Sequence, residues 1–295
     1  MTYAPVEKAR RETAQDAPSV AHRQAARGAG SLTGFSRKAL AAAATLWFAV
    51  AASGQMIFVL YILSFYGRSA VRGDLEAWNR VMPKGHVAGD TIGNVAIMIH
   101  ILIAAIVTIG GPLQLIPRVR TSFPAFHRWN GRVYFITVVV ASITGLYMVW
   151  ARSQFGSALQ HVAISINAVL IVLAALLALR RALARQLAAH RRWALRLFIL
   201  VSGVWFFRVG LMFWIAVNGG PVGFNPETFQ GPALSALGFL QYLLPLAVLQ
   251  LYFMAKEGAS PVTRIATAGA LITLTFAMGI GIVVATMGMW LPHIR

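Results

Sequence analysis

Seven long apolar segments, separated by short polar connections, constrain this chain more than any other feature. Hydrophobic residues make up 58% of the 295-residue sequence and charged residues only 12%, whereas a soluble domain carries about 25% charged residues. A helix needs about 20 apolar residues to cross a bilayer. The sequence therefore predicts an all-α, polytopic membrane helical bundle of about seven transmembrane helices. The segments are 40–65, 91–116, 127–150, 157–179, 190–216, 232–254 and 264–290.

Composition excludes several other classes of protein. The apolar runs are continuous rather than alternating, which favours helices over a transmembrane barrel. The chain has no cysteine, so disulfides, iron–sulfur ligation and covalent haem attachment are excluded. Its 8 acidic residues lie outside the predicted spans or at their edges. The intramembrane carboxylate common in proton-driven transporters is therefore missing, and no spacing typical of di-iron or zinc hydrolase sites is present.

The basic residues predict how the chain is oriented. The net charge is +18, and most of the 26 Lys and Arg residues fall in the N-terminal segment and in alternate connections. Because short basic connections stay cytoplasmic, we expect a bacterial inner-membrane protein with a cytoplasmic N-terminus and an external C-terminus. Membrane orientation explains this charge without nucleic acid, and the basic face would attract anionic lipid.

Two regions differ in character along the chain. Residues 1–38 are polar, basic and without periodicity, which predicts a disordered cytoplasmic tail. Residues 39–295 are expected to form a single transmembrane domain, because the connections between spans leave no room for a second folded domain. Its core, about residues 91–216, is the part of the chain that carries histidines within apolar segments.

Four histidines, one in each of the second to fifth predicted spans, are the candidate functional residues. His127 and His190 begin their spans beside basic connections, and we call them the basic-face pair. His100 and His161 belong to the other half of the membrane, and we call them the opposite-face pair. Spans two apart in a four-helix bundle are diagonal neighbours. Each pair is thus placed to supply both axial ligands of a haem iron.

Two further patterns support haem. Residues one helical turn after each histidine are small, which leaves room for a flat macrocycle beside each imidazole; they are Ala104, Gly131, Ser165 and Ala194. Arginines are suited to hold haem propionates. The candidates are Arg118, Arg120, Arg128 and Arg191 beside the basic-face pair, and Arg208 toward the opposite-face pair. Snorkelling to the membrane interface is the alternative role for Arg208.

Two resemblances follow from these residues. The stretch from His100 to His190, with His127-Arg128-Trp129-Asn130-Gly131, resembles the four-helix core of cytochrome b-561-type proteins. That resemblance implies two non-covalent haems near opposite membrane faces. Residues from about 50 to 255 also resemble a bacterial family of multi-pass membrane proteins (domain of unknown function 2306). The resemblance rests on Pro117-Arg118-Val119-Arg120 and on the segment 126–132, and it implies a fold and a membrane location.

The sequence leaves three interpretations of the histidines open. In the first, two b-type haems carry electrons across the membrane, as in a membrane oxidoreductase, with a quinone or another electron donor or acceptor as partner. In the second, the chain holds one haem or another metal. In the third, the histidines only bond between helices or lie near lipid, and the protein is a small-solute carrier or an assembly factor without a cofactor. Arg208, Asn167 and Gln241 are the few candidates for a polar path in such a carrier.

Overall fold

The computed structural model describes residues 20–82, 84–152 and 156–294, with side chains from residue 31 onward. Regular structure in these ranges is helical, which confirms the all-α prediction. Short π-helical turns extend three of the helices at Leu63–Gly67, Met148–Arg152 and Thr286–Trp290. The α-helices are α1 (Val20–Ile62), α2 (Arg68–Val71), α3 (Thr91–Leu115), α4 (Pro117–Ser122), α5 (Pro124–Tyr147), α6 (Ala158–Leu183), α7 (Leu187–Val201), α8 (Gly203–Asn218), α9 (Pro232–Glu257) and α10 (Pro261–Ala285).

Six helices in the described ranges are each long and apolar enough to cross a membrane, and there are seven candidate spans if a bent pair of helices is counted as one. The six contain α1, α3, α5, α6, α9 and α10, and the bent pair is α7 with α8. The predicted count of about seven spans is confirmed on this basis. Proline begins α4, α5, α9 and α10, as expected for a residue whose missing N–H is not needed in the first turn.

The fifth predicted span, residues 190–216, is corrected by the structure to two helices that meet at an angle of 52°. The break falls at Ser202 and Gly203. Ser202 Oγ donates to the Phe198 carbonyl 2.8 Å away, a bond that bends helices, and a Ser–Gly pair is a common site of sharp kinks. The hydropathy of the segment is continuous through this pair, so a search for apolar length alone misses the bend.

The first helix begins earlier than the sequence suggested. α1 starts at Val20, so residues 20–38 are helical, although they were assigned to a disordered tail. Alanines and arginines, which favour helix, are frequent in 20–45, and the apolar span that follows extends the same helix. The rest of the predicted tail, residues 1–19, lies outside the described residues.

The four helices that carry the histidines form a ring. Extensive contacts join α3 to α5, α5 to α6 and α6 to α7, and a much smaller contact joins α7 back to α3. The diagonals of this ring are α3 with α6 and α5 with α7. These are the helices that carry the opposite-face pair and the basic-face pair, respectively. Around these four helices, α1 and α10 pack along each other; α1 also packs against α3, and α10 against α8. Helix α9 contacts α6, α7 and α8.

Candidate functional site

The basic-face pair lies where the starts of two helices meet. His127 is in the first turn of α5, and His190 is in the first turn of α7. Gln114, at the end of α3, donates from Nε2 to the His127 carbonyl at 3.0 Å, which ties the start of α5 to the preceding span. The His127 and His190 rings are close enough to interact electrostatically. The structure therefore places these two residues within electrostatic range of each other, and their joint role as ligands stays a prediction.

One ring nitrogen of His190 makes a hydrogen bond, and the other can act as an acceptor or a ligand. Its Nδ1 lies 2.9 Å from the Ala178 carbonyl of α6. A carbonyl only accepts hydrogen bonds, so Nδ1 carries the proton and donates. In a neutral imidazole, Nε2 then holds the lone pair. Histidines that bind metals usually donate their other N–H in this way, and the contact gives His190 the tautomer of a ligand.

His127 presents a buried nitrogen that needs a partner. Its Nδ1 is inaccessible to solvent, and no hydrogen-bonding group in the described residues reaches it. Buried polar atoms are nearly always hydrogen-bonded. The carbonyl of the same residue is already bonded to Gln114. His127 is therefore the member of the basic-face pair that has a buried ring nitrogen without a partner in the described residues.

In the opposite-face pair, His100 is fixed by a side chain of α5. Its Nδ1 lies 2.9 Å from Thr144 Oγ1. The Thr144 hydroxyl donates its own proton to the Val140 carbonyl at 2.9 Å, so it accepts from His100. The lone pair of a neutral His100 is therefore also on Nε2. A Cβ atom added to Gly145 would lie 3.4 Å from His100 Cε1, and the ring thus packs closely against α5.

His161, the other member of that pair, packs against Trp150. The two rings are 5.6 Å apart, with their planes inclined by 73°. Trp150 Nε1 donates to Ser165 Oγ at 2.9 Å, and Ser165 donates to the His161 carbonyl at 2.8 Å. The indole thus covers the patch beside His161 that small residues were expected to leave open.

The basic-face pair keeps more of the expected space. A Cβ atom at Gly131 would meet Gln114 only at an ordinary distance of 3.7 Å. Ala194, one turn after His190, is half-buried, as is Ala104 beside His100 in the opposite-face pair. Of the four small positions, Ser165 is the one that a described aromatic ring bonds directly. The shape of the bundle therefore favours a flat ligand at His127 and His190 over one at His161.

The arginines proposed as propionate partners lie near different histidines. Arg120 and Arg128 interact electrostatically with His127. Arg118 and Arg191 belong to the same basic end and are exposed. Arg208 interacts electrostatically with His100, which places it toward the opposite-face pair, and its guanidinium lies 5.4 Å from the centre of the Phe58 ring. Arg208 also donates to the Val204 carbonyl at 3.2 Å, so its side chain points back along α8.

The donor set suits a group that takes two protein ligands. In the described ranges, no three His, Cys, Asp or Glu side chains come close enough to hold a metal ion together. A haem iron bound by two histidines needs no third protein ligand. Basic-face arginines would be available for propionates. The donor types and charges of the basic-face pair are therefore compatible with a haem, whereas in the opposite-face pair the Trp150 indole packs on His161.

The structure also brings Gln55, to which the sequence analysis gave no role, close to Asn167 and Gln241, two of the candidates for a polar path. Gln55, Asn167 and Gln241 are each almost fully buried and surround the break at Ser202 and Gly203. Asn167 Nδ2 donates to the Leu200 carbonyl at 3.2 Å, as expected for a polar residue that joins two spans. Gln55 Nε2 donates to Ser202 Oγ at 2.9 Å. Gln55 is a lone amide within an apolar span, which was the available signal in the sequence.

Comparisons with known proteins support the membrane assignment. No curated protein and no solved structure matches the chain. Residues 97–241 match a family described as predicted membrane protein (DUF2306), a region that contains all four histidines. The resemblance to cytochrome b-561-type proteins stays a prediction. The histidine-bearing part of the chain is similar to this family, and together with its apolar helices the match shows that the chain is a multi-pass membrane protein.

Proposed function

We propose that this protein is a membrane oxidoreductase of the bacterial inner membrane that binds b-type haem through its paired histidines and carries electrons across the bilayer. His127 and His190 would ligate the haem at the basic face, and His100 and His161 a second haem at the opposite face. When bound, each haem would supply a reversible one-electron carrier. The basic face would be cytoplasmic and would contact anionic lipid.

The arrangement around His190 carries this proposal. Its Nδ1–H donates to Ala178, so Nε2 is available, and His127 beside it has a buried ring nitrogen with no partner in the described residues. A purely structural pair of histidines would be expected to bond to each other or to the backbone at every buried nitrogen. Arg120 and Arg128 supply the positive charge that propionates require.

The chain's own residues would position the cofactor and adjust its potential. The Ala178 carbonyl fixes the orientation of the His190 ring, and the Thr144 hydroxyl does the same for His100. Cationic arginines near a haem favour its reduced form, because they offset the electron that is added.

The competing function is a membrane protein without a cofactor, and the opposite-face pair gives that assignment its support. His100 bonds to a neighbouring helix through Thr144, and His161 packs on Trp150. Both are the contacts of histidines that join helices.

A reduced-minus-oxidised absorbance spectrum of the purified protein, expressed with ample haem, separates the two functions. The proposal expects b-type haem bands in this spectrum. Their amplitude should be smaller in His190→Ala and unchanged in His86→Ala, a change in an exposed loop. A preparation without haem bands would reject electron transfer and leave the cofactor-free function.

A further inference from the structure

Two arginines of α7, which we call the arginine pair, lie at its boundary with α9. Arg192 and Arg196 are one helical turn apart, so they project from the same side of α7. Both guanidinium groups lie near the Phe253 ring of α9, at 5.6 Å for Arg192 and 5.4 Å for Arg196. Arg196 is also 4.8 Å from the centre of the Trp193 ring. These cation–π contacts hold both charges where the two helices meet.

The two arginines differ in their polar partners. Arg192 forms an ion pair with Glu257, and both side chains are partly exposed. Arg196 Nη2 instead donates to Gln250 Oε1 at 3.1 Å, and an amide oxygen carries no net charge to balance the guanidinium. The ion pairs in the described ranges do not include Arg196. The arginine pair therefore has more positive charge than its protein partners neutralise.

The face of α9 that carries Gln250 is otherwise apolar and exposed. Leu243, Ala247 and Met254 are seven residues before, three before and four after Gln250, which places them on the same side of the helix. All three are exposed, and an exposed apolar face of a membrane span contacts acyl chains. Arg196, half-buried and bonded to Gln250, thus lies beside lipid within the bent span of α7 and α8. A charge in such a position is costly unless it has a partner.

Depth and charge indicate that this partner is a lipid phosphate. Glu257 ends α9, so its ion pair with Arg192 lies at the basic end of the span, and Arg196 is one turn, or about 6 Å, further in. An arginine side chain can extend over that distance toward the headgroup region, and its planar fork binds two phosphate oxygens at once. Exposed Lys256 adds further positive charge. A phospholipid with net negative charge balances this cluster, whereas a zwitterionic one does not.

We propose that the boundary between α7 and α9 binds an anionic phospholipid, with its phosphate held by the arginine pair and one acyl chain along the exposed apolar face of α9. This binding site gives a location to the anionic-lipid contact proposed for the basic face, on which it rests, and it does not require haem. Gln250 is a positioning residue, because its amide oxygen orients the Arg196 guanidinium.

Native mass spectrometry of the full-length protein in detergent tests the proposal. The probes are phosphatidylglycerol and phosphatidylcholine with identical acyl chains, added at equal concentrations. We expect about tenfold more of the phosphatidylglycerol adduct, because hydrogen bonds to a charged group of an anionic lipid are not offset by a headgroup cation. Arg196→Gln should abolish this preference. Arg180→Gln, which removes the same charge from an exposed position at the end of α6, is the matched control and should retain it.

Three results would overturn the proposal. They are equal adducts of the two lipids in the wild-type protein, a preference that survives Arg196→Gln, and a loss that is equal in Arg196→Gln and Arg180→Gln. The last result would retain a general attraction of the basic face for anionic lipid and reject a defined site. Thermal unfolding of the same preparations without added lipid shows that each variant is folded.

A further variant separates charge from shape. Arg196→Lys keeps the charge but lacks the planar fork, so it should show a preference between those of the wild type and Arg196→Gln. Equal loss in both Arg196 variants would mean that charge does not select the lipid. Inorganic phosphate in tenfold excess should not displace phosphatidylglycerol, because it has no acyl chain. Displacement would assign the arginine pair to a free anion and reject the lipid.

The haem spectrum of the same preparations keeps the two proposals apart. Haem bands without a phosphatidylglycerol preference would reject this site and retain the haem function. A preference that depends on Arg196, in protein without haem bands, would retain this site and reject electron transfer.

Discussion

The two histidine pairs differ in what holds their rings. At the basic face, His190 donates to a backbone carbonyl, and the neighbouring ring of His127 has an unpartnered nitrogen. At the opposite face, side chains make the contacts, with Thr144 accepting from His100 and Trp150 packing on His161. The basic-face pair thus has a buried ring nitrogen without a hydrogen-bond partner. In the opposite-face pair, His100 is hydrogen-bonded and His161 packs against an indole.

This difference shows why residue type and spacing are insufficient to define a site. Both pairs have nearly the same separation in sequence and lie on diagonal helices of one ring. The neighbours decide what each pair does. A backbone carbonyl is present whatever residue occupies position 178, but the contacts at the opposite face depend on a particular threonine and a particular tryptophan. Substitutions can therefore test the two pairs separately.

The largest expected effect is loss of haem from the basic-face pair. His190→Ala removes a proposed iron ligand, and changes that affect only the partners of a metal ligand already lower affinity about 10- to 100-fold. We therefore expect the affinity of the basic-face site for haem to fall by more than about 100-fold. Haem titration into protein purified without haem, followed by absorbance, measures this loss. Retention of full haem content in both His190→Ala and His127→Ala would exclude this pair.

Much of the fold could be predicted from the sequence, because bilayer thickness fixes how long an apolar span must be. Seven segments of that length and short connections between them were enough to place the histidines on diagonal helices. The bend at Ser202 and Gly203 was missed, because it depends on a hydroxyl bond to Phe198 and not on hydropathy. It is this bend that Gln55 and Asn167 approach.

The contacts of the rings could not be predicted for a different reason. Thr144, Trp150 and Ala178 are 44, 11 and 12 residues away from the histidines they contact. Which of them meets an imidazole depends on the rotation of each helix about its axis and on side-chain rotamers. Spans with low amphipathicity specify that rotation poorly. The diagonal placement of the histidine-bearing helices was thus predictable, but the contact partners of the rings were not.

The next largest effect concerns the cover over His161. Trp150→Ala removes an indole hydrogen bond to Ser165 and a ring contact, together worth about 1–2 kcal/mol. If haem binding at the opposite face must displace these contacts, its affinity there should rise about tenfold. Haem stoichiometry at limiting haem would show the gain. Trp129→Ala, an exposed change at the basic face, is the control, and lower opposite-face occupancy in Trp150→Ala would contradict the idea that the indole blocks this site.

A smaller effect is expected where Thr144 holds His100. Thr144→Val keeps the shape of the side chain but leaves the His100 Nδ1–H without its acceptor, at a cost of about 1–2 kcal/mol in the free energy of unfolding. Thermal unfolding in detergent should show a lower midpoint. Thr137→Val is a matched control on the same helix, because the Thr137 hydroxyl donates to its own helix at Val133. Equal destabilisation by both substitutions would mean that the histidine contact contributes nothing beyond the loss of a hydroxyl.

The smallest effect, and the one that best separates the two faces, is electrostatic. Arg208 interacts with His100, whereas Arg120 and Arg128 interact with His127. A positive charge near a haem stabilises the reduced form, so Arg208→Gln should lower the midpoint potential of the opposite-face site, on the order of tens of millivolts. The basic-face potential should be unchanged by Arg208→Gln and lowered by Arg120→Gln. Redox titrations that resolve the two haems provide the measurement. A common shift of both potentials in either variant would show that the arginines act through the overall charge of the protein, and the distinction between the two faces would then be one of packing alone.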